Sequence, residues 1–328
     1  MTEEPLLSVR HLTTEFHSPH APVARAVEDV SFDVLPGQTV GLVGESGCGK
    51  TTLLMSVLRL LPSTGRITSG RVLFKGTNLL GLSEREMRAY RWKEMAIIFQ
   101  GAMNALNPVM RVGDQIREAM LLHDMMDRDQ AEQRVGELLE MVGLPRARGD
   151  QYPHQYSGGM RQRAMIAMSL ACAPSLLFAD EPTTALDVMI QAQVLALLKE
   201  IQKALGLAIV LVTHDLGVVA EMCDSVVVMY GGKMAEYGTA EAIYNQPQHP
   251  YTRRLLASFP DLSRPSDTLA SIPGTPPRLM ELPPGCRFHP RCDVRIDPCS
   301  HLAPPVLEVS TGHYAACHLC QGQEARLT

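Results

Sequence analysis

The sequence predicts an α/β fold built on a parallel sheet, with a helical insertion and a small loop-rich C-terminal extension. Three observations carry this. Short, β-branched, nearly continuous apolar runs alternate with helix-forming stretches over roughly the first 245 residues. A glycine-rich turn, GESGCGKTT, joins one such run to a helix. Thirteen of the 23 prolines lie after Gln246, too densely for long helices or central strands.

The elements follow in order. QTVGLVG (Gln38–Gly44) reads as a strand buried on both faces, and LLMSVLRLL after the turn reads as a helix. From about 88 to 173 the β-rich pattern gives way to helical sequence such as RDQAEQRVGELLEMVGL (Arg128–Leu144), which predicts a helical subdomain. SLLFAD (Ser175–Asp180), LAIVLVTH (Leu207–His214) and DSVVVMYGG (Asp224–Gly232) are further strands. Between the first two lies a helix, VMIQAQVLALLKEIQKAL (Val188–Leu205), closed by Gly206 as its C-cap. The organisation expected is a principal domain over 1–245 and an extension over 246–328 that needs a staple of its own.

Composition narrows the function. With 45% hydrophobic and 20% charged residues the chain is globular, and a net charge of -5 disfavours nucleic acid as a partner. MTEEPLLSVRHL lacks a basic stretch followed by an apolar run, which predicts a chain that stays in the cytosol. The longest apolar run, LGLAIVLV (Leu205–Val212), is far short of the roughly 20 residues that cross a bilayer. Any membrane role therefore comes through a partner.

The glycine-rich turn carries the chemistry. Gly44 to Thr52 (Gly44, Glu45, Ser46, Gly47, Cys48, Gly49, Lys50, Thr51, Thr52) fit the P-loop pattern in its strand-to-helix context. The glycines let backbone N–H groups face phosphates, Lys50 supplies a charge for the β- and γ-phosphates of ATP, and Thr51 offers a hydroxyl to Mg2+. Asp180 ends an apolar strand where it can hold Mg2+, and Glu181 next to it can accept a proton from the attacking water. Alone, Asp-Glu before Pro182 would more often be an exposed turn, and His214 at the next strand end an ordinary surface histidine. Beside a P-loop, all three fall at the carboxyl ends of parallel strands, where ligands sit.

YSGGMRQR (Tyr156–Arg163) resembles the signature motif of ABC-transporter ATPases. Gln100 in IIFQ resembles that family's Q-loop glutamine, TALD (Thr184–Asp187) its D-loop and His214 its switch histidine, and the likeness spans about Leu7 to Gly238. The resemblance implies a RecA-like core with an antiparallel β subdomain and a helical subdomain. It also implies a head-to-tail pair of ATPase domains, in which Ser157, Gly158 and Gly159 bind the γ-phosphate of ATP held by the other, with Asp187 at the same interface. Gln100 would join Thr51 and Asp180 at Mg2+, Glu181 would be the base, and His214 would hold the γ-phosphate. For the aromatic stacked on adenine the choice is Phe16, with His17 as the alternative.

VEDVSF, ALNPVMRVGDQI, QHPYT, IPGTPP and LPPGCRFHPRC resemble the ATPases of oligopeptide, dipeptide and nickel importers, including their C-terminal extension. Two departures stand out: Gly101-Ala102 replaces the frequent Asp-Pro after the Q-loop, and Tyr156 the usual leucine or phenylalanine. The implied partners are a second ATPase subunit, identical or related, two integral-membrane permease subunits and, indirectly, a periplasmic or lipid-anchored solute-binding protein. The implied place is the cytoplasmic face of the inner membrane. Peptide is the favoured cargo, with nickel, opine and glutathione open. An ABC-type ATPase of DNA repair or translation is the remote alternative, disfavoured by the net negative charge and the lack of a long coiled coil.

Five of the eight cysteines fall at the end of the chain: Cys286, Cys292, Cys299, Cys317 and Cys320. Such clustering in a cytosolic chain points to metal or redox chemistry. The spacing C-x5-C-x6-C-x17-C gives one close pair only, Cys317 and Cys320, where structural zinc usually shows two. The related importers can carry a [4Fe-4S] cluster there, so Cys286, Cys292, Cys299 and Cys317 are candidate ligands of an iron–sulfur cluster, with zinc and unligated thiols as alternatives. A tail that senses metal or redox state and gates ATP hydrolysis is a further reading.

Overall fold

The computed structural model describes residues 4–19, 21–101, 105–184, 186–258 and 272–324. Ala102 and Ala185, named above, lie outside them. The chain divides into two compact units, one of residues 1–34, 39–80 and 213–328, the other of 35–38 and 81–212. The P-loop, His214 and the cysteine-bearing tail thus share a unit.

In the first unit, β1 (Leu7–Ser18) and β2 (Ala21–Val34) pair antiparallel, with β4 (Gly65–Phe74) and β5 (Thr77–Asn78) extending the sheet in the order β2-β1-β4-β5. This is the antiparallel β subdomain that the resemblance implies; repeated register shifts along β1 break the clean alternation by which such strands are read from sequence. β3 (Thr39–Val43) is buried at every position and leads through the P-loop into α1 (Lys50–Val57). β3 runs parallel to β9 (Ser225–Tyr230), which turns back into β10 (Lys233–Thr239).

The second unit holds the parallel strands β6 (Met95–Ile98), β7 (Leu176–Asp180) and β8 (Ala208–Val212), in the order β8-β7-β6. Its helices are α2 (Glu84–Arg88), α3 (Val112–Leu122), α4 (Arg128–Met141), α5 (Gly158–Ser169) and α6 (Val188–Leu205). α2 and α4 start with reciprocal capping boxes, Ser83 with Glu86 and Asp127 with Gln130. α6 has the bounds expected from its apolar spacing, and Gly206 closes it with a left-handed φ of 62°.

The remaining helices of the first unit are α7 (Leu216–Met222), α8 (Ala240–Asn245) and α9 (Pro250–Ala257). In α9 a proline occupies the first turn, where no intrahelical N–H is lost, and His249 is the N-cap. The tail then adds three strands that the sequence reading leaves as loop: β11 (Leu307–Ser310), β12 (His313–Ala315) and β13 (Gln323–Glu324). β12 pairs antiparallel with β10.

The tail's staple is polar. Glu236 on β10 is fully buried, and its carboxylate accepts from His313 Nε2 at 2.7 Å and from the backbone N–H groups of Gln248 at 2.7 Å and His249 at 2.9 Å. A buried carboxylate is tolerable only with such complete pairing. Tyr230, Tyr251 and Phe288 pack on one another, with ring centroids 4.6–5.4 Å apart. Among the described residues no helix is long and apolar enough to cross a membrane.

Candidate active site

The first unit positions the P-loop by backbone approach. A Cβ on Gly44 would lie 2.2 Å from Met229 O, and one on Gly49 2.1 Å from Ala26 O, so only glycine fits at either place. The loop is thereby pressed between β2 and the end of β9. Gly232 N–H completes the seat by donating to Cys48 O at 2.9 Å. Gly47, at φ 79°, faces open space.

Lys50 is buried, and its ammonium donates back to Gly44 O at 2.7 Å and Glu45 O at 3.1 Å, closing the loop into a ring. The Cys48 side chain turns inward beneath the loop, 3.7 Å from Lys50 Nζ, and burial raises its pKa. Its part in the loop is therefore its backbone. Thr51 is exposed and Thr52 half-buried in the first turn of α1. Strand register sets Phe16 opposite Ala24 on β2, two residues from the Ala26 that Gly49 touches. Phe16 is half-buried, and a Cβ on Gly65 would meet its ring edge at 3.1 Å, which fixes the ring's position. His17 Nε2 lies instead 3.3 Å from Glu15 Oε2. His214 is exposed just before α7, whose N-cap is Asp215.

The second unit joins Gln100 to Glu181. Gln100 Nε2 donates to Glu181 Oε2 at 2.7 Å, and Thr184 Oγ1 donates to the same oxygen at 2.9 Å. Glu181 sits immediately past β7 with a φ of 46°, a left-handed backbone that a side chain pays for and that tends to mark a functional turn. Its own N–H is held by Val212 O at 2.9 Å. Asp180 is buried, 2% exposed, as the last residue of β7.

Ser157 and Asp187 act locally as N-caps, of α5 through Met160 N–H at 3.3 Å and of α6 through Ile190 N–H at 3.0 Å. Gly158 and Gly159 open α5, and a Cβ on Gly159 would strike Ile190 Cγ2 at 2.8 Å. The second signature glycine thus lets α5 approach α6 closely. Tyr156 is buried, its hydroxyl donates to Arg148 O at 2.7 Å, and burial pushes its pKa up to about 12. That carbonyl is what accommodates a tyrosine in place of an apolar residue.

Donor chemistry suits magnesium: Thr51, Gln100 and Asp180 all offer hard oxygen. The cysteines do not suit a single ion, since among the described residues no group of three or more His, Cys, Asp or Glu could hold a metal ion. Neither the iron–sulfur cluster nor zinc expected on these thiols draws support from that. Burial, with the neighbouring thiols Cys299, Cys317 and Cys292 adding to it, pushes Cys286 up to about 11, and burial with Cys317 and Cys299 raises Cys292. Cys317 is lowered by a hydrogen bond from Cys320.

The sequence reading passes over three residues at the P-loop. Arg291 donates to both carboxylate oxygens of Glu45, Tyr230 supports Arg291 from 3.2 Å, and the Tyr251 hydroxyl accepts from Glu45 N–H at 2.9 Å. The only signal was the QHPYT and FHPRC stretches, which pointed to an extension but not to what it touches.

Residues 27–184 match the ABC transporter family, and residues 235–299 match the family described as the oligopeptide/dipeptide transporter C-terminal region. The dipeptide transport ATP-binding protein DppD of Bacillus subtilis (strain 168) is 49% identical, over 98% of this chain and 96% of its own length. The oligopeptide transport ATP-binding protein OppD of Escherichia coli (strain K12) is 46% identical, over 95% of this chain and 92% of its own. Among solved structures, the ATP-binding cassette MJ0796, a dimer in a post-hydrolysis state bound to ADP and Pi, superposes with a TM-score of 0.64 and 25% identity, covering 71% of this chain and 98% of that one.

Proposed function

The chain belongs to the ABC transporter ATPases that carry the oligopeptide/dipeptide transporter C-terminal region, and from that premise we propose that it hydrolyses ATP to drive import of dipeptides or oligopeptides. The observation that carries the peptide reading is the likeness to dipeptide and oligopeptide transport ATP-binding proteins across almost the whole chain, tail included. Their names favour peptide over nickel, opine or glutathione.

The residues divide the work. The P-loop N–H groups and Lys50 bind the β- and γ-phosphates, Phe16 stacks on adenine, and His214 holds the γ-phosphate. Bound Mg2+ neutralises charge developing on the phosphates, and Thr51, Gln100 and Asp180 would hold it. Glu181 accepts the proton of the attacking water. Gln100 suits a bridge between these roles, because its Nε2 serves Glu181 and an amide oxygen is a donor of the kind a hard cation takes.

Ser157, Gly158, Gly159 and Asp187 serve the nucleotide of a second ATPase subunit. Support comes from α6, where Val188 and Met189 next to Asp187 are 79% and 72% exposed, an apolar face of the kind partners cover. In the helical region Val109 and Leu122 are 78% and 70% exposed, which supports docking there on integral-membrane permease subunits at the cytoplasmic face of the membrane. A solute-binding protein would deliver the peptide from the other side. For the tail, Cys286, Cys292, Cys299 and Cys317 are proposed to bind an iron–sulfur cluster, which holds its thiolates farther apart than one tetrahedral ion does. Iron content and visible absorbance of anaerobically purified protein test it.

Reconstitution with the two permease subunits tests the whole: phosphate release should rise when peptide-loaded binding protein is added. A rate indifferent to loaded protein would sink the peptide reading.

A further inference from the structure

The C-terminal tail reaches the phosphate-binding loop through one arginine. Arg291, 8% exposed, sends Nη1 to Glu45 Oε2 at 2.6 Å and Nη2 to Glu45 Oε1 at 2.9 Å, a two-pronged ion pair. Its other donors are also committed, Nε to Pro273 O at 2.7 Å and Nη1 to Tyr230 OH at 3.2 Å, and its guanidinium lies 5.8 Å from the Tyr230 ring centre. Glu45 is the only acidic residue in GESGCGKTT. The same residue is gripped at its N–H by Tyr251 of α9 and gives its carbonyl to Lys50. A continuous path therefore runs from the tail through Glu45 to the lysine that meets phosphate.

An uncompensated carboxylate there would oppose each phosphate charge brought to the loop. We propose that Arg291 is a positioning residue for nucleotide binding: by forking the Glu45 carboxylate it cancels the one acidic charge of the P-loop and fixes the loop's first turn, so that the tail completes the nucleotide site. This rests on the P-loop binding ATP and adds a requirement on residues far from the P-loop in sequence. It also gives the extension a task that does not depend on any metal.

The test is a charge cycle on the full-length chain, titrated with a fluorescent ATP analogue and Mg2+, with thermal unfolding followed in parallel. Binding by the native chain establishes the ATP reading by itself; the variants then decide the role of Arg291. R291A should weaken binding by about tenfold or more at low salt. The loss should shrink as ionic strength rises, because its cause is an unscreened charge. E45Q/R291A, which removes the stranded carboxylate, should recover to within about threefold of native. R291K, which keeps the charge and loses the fork, should fall between. Native affinity in R291A, a double variant as weak as R291A, or a loss that ignores salt would each overturn the proposal. Should R291A fail to fold, R291K against E45Q/R291K decides by the same criteria.

Discussion

Two glutamates stand just past the ends of buried strands, Glu45 two residues beyond β3 and Glu181 directly after β7, and their surroundings give them opposite uses. Glu181 accepts from an amide and a hydroxyl, Gln100 and Thr184, which bring no charge of their own. Glu45 is held by a guanidinium 246 positions along the chain, which cancels the charge. Partners, not residue type, set the two carboxylates apart.

The largest effect expected from this contrast is at Glu181. E181Q keeps the shape and the hydrogen bonds but removes the proton acceptor, so turnover should fall by about 10^3-fold, roughly 4 kcal/mol of barrier. Affinity for the nucleotide and ATP-driven dimerisation should persist. E45Q, by contrast, should cost turnover less than about tenfold, since no proton passes through Glu45. Steady-state phosphate release of the reconstituted pair separates them, and an E181Q enzyme running near the native rate would remove Glu181 from the role of base.

A second contrast concerns what each tether depends on. Gln100 and Thr184, which tether Glu181, belong to its own unit and not to the tail, whereas the tether of Glu45 arrives with the tail and needs the tail docked. His249 is part of that docking: it is 3% exposed, and its Nδ1 accepts from Tyr251 N–H at 3.0 Å, so it is neutral. Burial pushes its pKa down to about 4, Arg253 adding to the shift and buried Glu236 opposing it. The unfolded chain, near 6.5, takes up the proton first, so this stability is present above about pH 6.5 and is lost as pH falls toward 4. Between pH 8 and 5.5 the loss is about 1.4 kcal/mol. Hydrogen exchange at the Tyr251 amide should report it, and H249N, which keeps an N-cap acceptor without titrating, should flatten the pH dependence.

Legibility followed locality. The P-loop, Asp180, Glu181 and α6 could be read because each signal is contained within a short window: a glycine spacing, a strand that ends in carboxylates, an apolar repeat closed by Gly206. β1 and β2 were hidden by their bulges, and β11 and β12 by their shortness among prolines. Arg291 follows a proline and precedes a cysteine, with no period to mark it. Its meaning lies wholly in a contact across the chain. The cysteines, conspicuous in sequence, drew attention to the segment but not to the arginine between them.

The finest division is between the two grips on Glu45. Y251F removes only the hydroxyl that accepts from Glu45 N–H, because the phenylalanine ring still packs on Tyr230 and Phe288. A neutral hydrogen bond of this kind contributes about 1 kcal/mol, so ATP affinity should fall by about fivefold at most, less than for R291A, whose bond is charge-assisted and doubled. Both grips act through one residue, so Y251F/R291A should cost less than the sum of the single losses. Strict additivity in nucleotide titrations would mean that the hydroxyl and the guanidinium reach the P-loop by separate routes, and Glu45 would no longer be the point where the tail takes hold.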